Sequence, residues 1–77
     1  MWTQGQTISS KKRKFVLIAK IDADKFVKYR GNDMMRLTEF MVNKYPDLRY
    51  INFFINSGVD KGKQVASWGK KKGLVYL

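Results

Sequence analysis

The stretch GNDMMRLTEFMVNKYPDLRYINFFIN, residues 31–56, decides the fold. Gly31, Asn32 and Asp33 break the preceding segment and offer an N-cap, because a short polar side chain can accept from the unpaired amides of a first helical turn. Met34, Leu37, Met41 and Tyr45 then recur at helical spacing with Phe40 beside them. Pro46 and Asp47 end this helix, since proline has no amide hydrogen and pushes the residue before it toward extended backbone. From Leu48 to Asn56 the period changes to two. Tyr50, Phe54 and Asn56 fall on one face of a strand, and Arg49, Ile51, Phe53 and Ile55 on the other.

Working outward, Phe15 to Ile21 is a short β-branched run that reads as a largely buried strand. Asp22-Ala23-Asp24 admits two readings. As turn residues they join that strand to a second one, Lys25 to Arg30, in a hairpin. Alternatively Asp24 caps a short helix over residues 22–31 that Gly31 stops. Phe26, Val27 and Tyr29 fit neither period cleanly, and the wealth of β-formers between two turns favours the hairpin. On the C-terminal side, Ser57 to Lys63 is turn-like and Gln64 to Trp68 is a strand. Gly69-Lys70-Lys71-Lys72-Gly73 is a basic loop, and Leu74 to Leu77 is a last apolar segment able to pair with the sheet. The expected fold is α+β, a small antiparallel sheet in the order β-β-α-β-β with one helix packed on one face. A single helix covers one side of a sheet, so the other side faces solvent or a ligand. Residues 1–10 are polar and aperiodic and are expected to form a flexible tail. Residues 11–77 form a single compact basic domain.

Composition narrows the chemistry. A chain of 77 residues buries only about 60% of its unfolded surface, so its apolar side chains are mostly committed to packing. The chain has no cysteine and no histidine, which excludes disulfides, thiolate metal sites, Ser-His-Asp and Cys-His catalysis and zinc fingers. Asp22 and Asp24 resemble a metal-binding pair, yet a two-metal site needs more converging carboxylates. Gly58 to Gln64 faintly resembles a phosphate loop, but it is one residue short between its glycines and lacks the Ser or Thr that holds magnesium. No enzyme activity, cofactor or metal is expected.

Charge is the strongest positive signal. Sixteen Lys plus Arg stand against six Asp plus Glu, a net +10, with an isoelectric point of about 10.1. That exceeds the net charge of about 2–8 that solubility asks of a small domain, so a polyanionic partner is expected. The apolar run Phe15 to Ala19 is too short to span a bilayer, and the first seven residues lack the pattern of a signal peptide. The expected location is intracellular, in cytoplasm or nucleoid, or in a nucleus where one exists. Lys11-Lys12-Arg13-Lys14 matches a basic nuclear-import run, a pattern that arises often by chance.

The candidate nucleic-acid-binding residues are Lys11, Lys12, Arg13, Lys14, Lys28, Arg30, Lys61, Lys63, Trp68, Lys70, Lys71 and Lys72. Two lysine runs flank strands that themselves carry Lys20, Lys28, Arg30 and Arg49, so a continuous positive stripe across the open sheet face is expected. If about six phosphates are neutralised, log K falls with log salt at a slope near −5. Among the aromatics, Phe40, Phe53 and Phe54 are expected in the core. Trp68, followed by Gly69 and three lysines, is the candidate for stacking or wedging. The helix carries only Arg36 and Lys44 as basic residues, which does not suit base reading, so low sequence specificity is expected.

Arg13-Lys14-Phe15-Val16-Leu17, Gly31 before the helix, Ile51 and Phe53, Gly58 with its following lysines, and Val65 to Trp68 together resemble the small archaeal non-histone chromosomal proteins that bend DNA as monomers. The resemblance runs from about Arg13 to Lys72. It implies duplex DNA rather than single-stranded DNA or RNA, and a DNA-surface role for Trp68. The chain departs from that family in its bulkier Met34-to-Tyr45 helix and in lacking a proline-rich extension. The rival reading is a protein-interaction module, virus- or plasmid-encoded for example, that grips an acidic host protein. Membrane attachment is disfavoured by the sparse lysines on the helix. Exposed strand edges leave both monomer and dimer open.

Overall fold

The computed structural model describes residues 13–77; the 1–10 tail, Lys11 and Lys12 lie outside the described residues. The elements are β1 (Phe15–Lys20), β2 (Phe26–Gly31), α1 (Met34–Lys44), β3 (Tyr50–Ile55), β4 (Gln64–Gly69) and β5 (Gly73–Tyr76). All five strands form one antiparallel sheet in the order β2-β1-β3-β4-β5. The architecture is therefore β-β-α-β-β-β, and the last apolar segment does join as an edge strand.

Residues 22–31 form the hairpin. Asp22 Oδ1 accepts from the Asp24 amide at 2.9 Å, and the Ile21 amide donates to Lys25 O at 2.9 Å. The Asp side chain thus mimics a backbone turn and closes the loop, where the alternative reading needed Asp24 to open a helix. The chain then leaves β2 at Gly31, which sits close under α1. A Cβ at Gly31 would stand 3.0 Å from both terminal methyls of Leu37, so glycine allows the strand end to approach the helix. Asp33 caps α1 by accepting from the Arg36 amide at 3.2 Å, and the Tyr45 amide closes the last turn on Met41 O at 3.0 Å.

The core is small. Leu17 and Ala19 of β1, Met41 of α1, Leu48, Ile51 and Phe53 of β3's side, and Ala66 of β4 are its fully buried apolar members among the described residues. Directly opposite partners in neighbouring strands share a face. Leu17 pairs with Tyr29 and Phe53, Phe53 with Ala66, Ile51 with Trp68, and Trp68 with Leu74. All of these therefore stand on the side of the sheet that α1 packs against. Phe53 meets the expectation of burial; two other aromatics do not. Phe54 is one residue further along β3, so it turns to the open side and is only partly buried. Phe40 is 43% exposed on the helix, where it packs edge-on against Tyr29 with ring centroids 5.3 Å apart.

The helix is also pinned by a hydroxyl pair, Tyr29 Oη to Tyr45 Oη at 2.6 Å. That hydrogen bond, followed by lost hydration, holds the Tyr45 phenol above its ordinary value of 10.0. A raised phenol pKa means that the folded state favours the neutral form. Its contribution is fully present below the ordinary tyrosine range and is lost as pH rises through the elevated value. We expect the Tyr29→Phe variant to bring the Tyr45 titration to lower pH in tyrosinate absorbance, with an earlier onset of alkaline unfolding. A Tyr45 midpoint that does not move in the variant would show that the pair is not coupled.

Candidate nucleic-acid interface

The face away from α1 is set by the same parity. It presents Val16, Ile18 and Lys20 from β1, Phe26, Lys28 and Arg30 from β2, and Tyr50, Asn52 and Phe54 from β3. From β4 and β5 come Gln64, Ser67, Gly69, Gly73 and Val75. A bulge between Phe53 and Phe54 places Gln64 opposite Phe54 and leaves Val65 without a cross-strand partner on β3. Three of these positions are basic and none is a carboxylate. The acidic side chains lie off these strands: Asp22 and Asp24 in the β1–β2 turn, Asp33 and Glu39 at the cap and on the helix, Asp47 after it, and Asp60 in the β3–β4 turn beside Lys61.

Apart from Lys28 in the middle of β2, the basic residues gather at the two ends of this face. At one end Arg13 and Lys14 precede β1, Arg30 is the last residue but one of β2, and Lys61 and Lys63 lie in the β3–β4 turn. This end is tied together by asparagines. Asn56 Nδ2 donates to Arg13 O at 2.9 Å, its Oδ1 faces Arg30 Nε at 3.4 Å, and the Lys14 amide donates to Asn32 Oδ1 at 2.8 Å. At the other end Lys70, Lys71 and Lys72 form the β4–β5 turn, with Lys20 across the sheet. Six-residue strands separate the two ends by about 20 Å. Along a duplex axis that distance spans about six phosphates of one strand at 3.4 Å each.

The expected continuous stripe is thus confined to one edge, where Arg30 and Lys28 of β2 lead to Lys20 of β1, and the open-face positions of β3, β4 and β5 carry no cation. The middle row holds Lys28, Ile18, Asn52, Ser67 and Val75, while Phe26, 57% exposed, and Tyr50, 37% exposed, share the end row with Lys20. Lys20 Nζ stands 5.7 Å from the centre of the Phe26 ring, which keeps that ammonium over the face. Among the described residues the one ion pair is Arg36 with Asp33, on the helix. No lysine of the open face or its end turns is therefore ion-paired among the described residues, although Asp60 shares the β3–β4 turn with Lys61 and Lys63.

Trp68 is placed differently from its expected role. Its register with Ile51 and Leu74 puts the ring on the helix side, partly buried against the core. The residue beside it in sequence, Gly69, faces the open side and lies opposite Tyr50. Phe26, Asn52, Ser67 and the clamping Asn56 are the contributors that reading the sequence did not single out. Lys20 was expected in the positive stripe, and Tyr50 stands on the same strand face as Phe54, as its parity implied.

A groove of about 480 Å³ lies on the open face where β3, β4 and β5 meet the lysine turn. It is lined by Tyr50, Asn52, Ser67, Gly69, Lys70 to Gly73 and Val75, with part of Trp68. No cluster of three or more potential metal-ligating residues occurs among the described residues, and no helix there is long and apolar enough to cross a membrane. Compared with known proteins, the chain matches no family model, no curated protein and no solved structure at a significant level.

Proposed function

We propose that this protein binds nucleic acid without catalysing a reaction, laying the open face of its sheet against the phosphate backbone with low sequence specificity. The observation that carries this reading is the sorting of charge. The open face and its two end turns hold Lys20, Lys28, Arg30, Lys61, Lys63 and Lys70 to Lys72, against one carboxylate, Asp60, in those turns and none on the face's strands. Arg13 and Lys14 extend the basic end. Like charges gathered on one surface repel each other and destabilise the compact state, and a polyanion relieves that cost. The resemblance to archaeal chromosomal proteins implies duplex DNA and, separately, a DNA-surface role for Trp68. That ring stands on the helix side with part of it lining the groove, so the phosphate contacts of the lysines and arginines, rather than Trp68, support the reading.

Fluorescence-anisotropy titration against labelled oligonucleotides, repeated over a range of salt, tests the reading. Binding in the micromolar range or tighter at low salt is expected, with affinity falling about a thousandfold between 50 and 200 mM salt for about six phosphate contacts. No binding at low salt would end the reading and direct the search to an acidic folded protein, for which the exposed Ile18, Phe26 and Val75 would supply the contact surface.

A further inference from the structure

The groove at the lysine-turn end of the open face has features that phosphate binding leaves unused. Its floor is formed at Gly69 and Gly73, which are paired across β4 and β5. A Cβ built at either glycine meets nothing within 4 Å, so open space stands above two adjacent backbone positions. Tyr50 forms one wall, directly opposite Gly69, and is 37% exposed. Asn52 and Ser67, themselves a register pair, form the polar part of the lining. Asn52 is oriented: Gln64 Nε2 donates to its Oδ1 at 3.1 Å, which leaves its Nδ2 donor directed away from that bond. The rim is the Lys70–Lys72 turn. At about 480 Å³, the groove falls within the roughly 300–1,000 Å³ of small-molecule sites.

Aromatic ring, amide, hydroxyl and ammonium groups within one shallow groove match the parts of a single nucleotide. A base offers a flat face for stacking and an edge for hydrogen bonds, and its phosphate answers to lysine. A paired base inside a duplex exposes neither face, because both are covered by its neighbours in the stack. We propose that this groove holds one unpaired nucleotide of a single-stranded nucleic acid. The base stacks on Tyr50 above the Gly69–Gly73 floor, Asn52 Nδ2 and Ser67 Oγ meet its edge, and Lys70 to Lys72 hold the adjoining phosphates. This rests on the nucleic-acid reading above and names its substrate class as single strands rather than duplex. The same stacking chemistry serves DNA and RNA, since every base has a flat face.

Two variants of the full chain test it by opposite means. Tyr50→Ala removes the stacking surface. Gly69→Val fills the groove at a strand position with ordinary backbone and open space, where a β-branched residue suits the sheet. Anisotropy is read against single-stranded DNA, single-stranded RNA, duplex DNA of the same length, and an abasic single strand of the same charge. The wild-type protein is expected to prefer the two base-bearing single strands over the duplex and the abasic strand. Each variant should weaken single-strand binding about tenfold to a hundredfold while leaving duplex binding, the salt slope and the melting temperature near wild type. The DNA and RNA arms identify which strand the groove prefers. Equal losses on duplex and single strand, or no loss in either folded variant, would overturn the nucleotide site while leaving phosphate binding intact. Failure of the wild-type protein to bind any of the four would overturn both readings together.

Discussion

Replacing Phe53 by alanine is expected to lower the melting temperature by about 15–30 °C or to leave the chain unfolded at room temperature. The side chain is fully buried at the centre of a core with seven fully buried apolar residues among those described. Its neighbours are Leu17 on one side and Ala66 on the other. Removing a buried phenyl ring costs about 3–5 kcal/mol, through lost transfer energy and the cavity left behind. In a domain of this size each kcal/mol shifts the midpoint by about 4–8 °C. Total stability for small domains is about 5–15 kcal/mol, and a surface crowded with positive charge places this chain toward the lower part of that range. Thermal unfolding followed by circular dichroism measures the effect, with Val59→Ala as a control because Val59 is 98% exposed in a turn. A shift of less than about 5 °C for Phe53→Ala would mean that the core is not built around this ring.

The second large effect concerns binding. Replacing Lys70, Lys71 and Lys72 together by alanine should weaken nucleic-acid binding by about a hundredfold or more near 0.1 M salt. The slope of log K against log salt should flatten by two to three units, at about 0.9 per lost phosphate contact on a duplex and about 0.7 on a single strand. The turn's three lysines are exposed and lie at one end of the open face, where among the described residues no carboxylate pairs with them. Their contacts should add nearly independently, because each ammonium releases its own condensed counterion. The double change of Lys71 and Lys72 alone should flatten the slope by up to about two units. An unchanged slope in a folded triple variant would show that the turn does not touch the nucleic acid. Alanine at these turn positions leaves the sheet pairing of Gly69 with Gly73 in place, so loss of binding would not be a folding effect.

The elements themselves were legible along the chain because their signals are local. The stripe Met34, Leu37, Met41, Tyr45 marks a helix from its own spacing, and Asp33 caps it through a contact three residues away. Pro46 stops it by its own geometry. The hairpin at residues 22–31 was harder, since Phe26, Val27 and Tyr29 fit neither period, and the Asp22–Asp24 turn decided it. The basic runs could be read directly, as could the absence of histidine and cysteine. Their grouping could not. Arg13, Arg30 and Asn56 lie far apart in sequence, and only strand pairing brings them to one end of the sheet.

Trp68 and Tyr50 show where local reading stops. Each is an aromatic on a strand beside basic residues, and nothing in the neighbouring residues says which side of the sheet it faces. A strand assigns its side chains by parity, so a one-residue change in register moves every one of them to the other face. Here parity is settled by pairing Ile51 with Trp68 and Tyr50 with Gly69, with the bulge at Val65 taking up the extra residue. Burying Phe53, Ile51 and Leu17 beneath α1 selects that register, and the energy of that burial belongs to residues from four separate elements. Composition and periodicity therefore determine a basic α+β domain with one helix and an open sheet face. Which aromatics line that face, and that two glycines leave a groove beside Tyr50, follow only from packing the helix against the sheet.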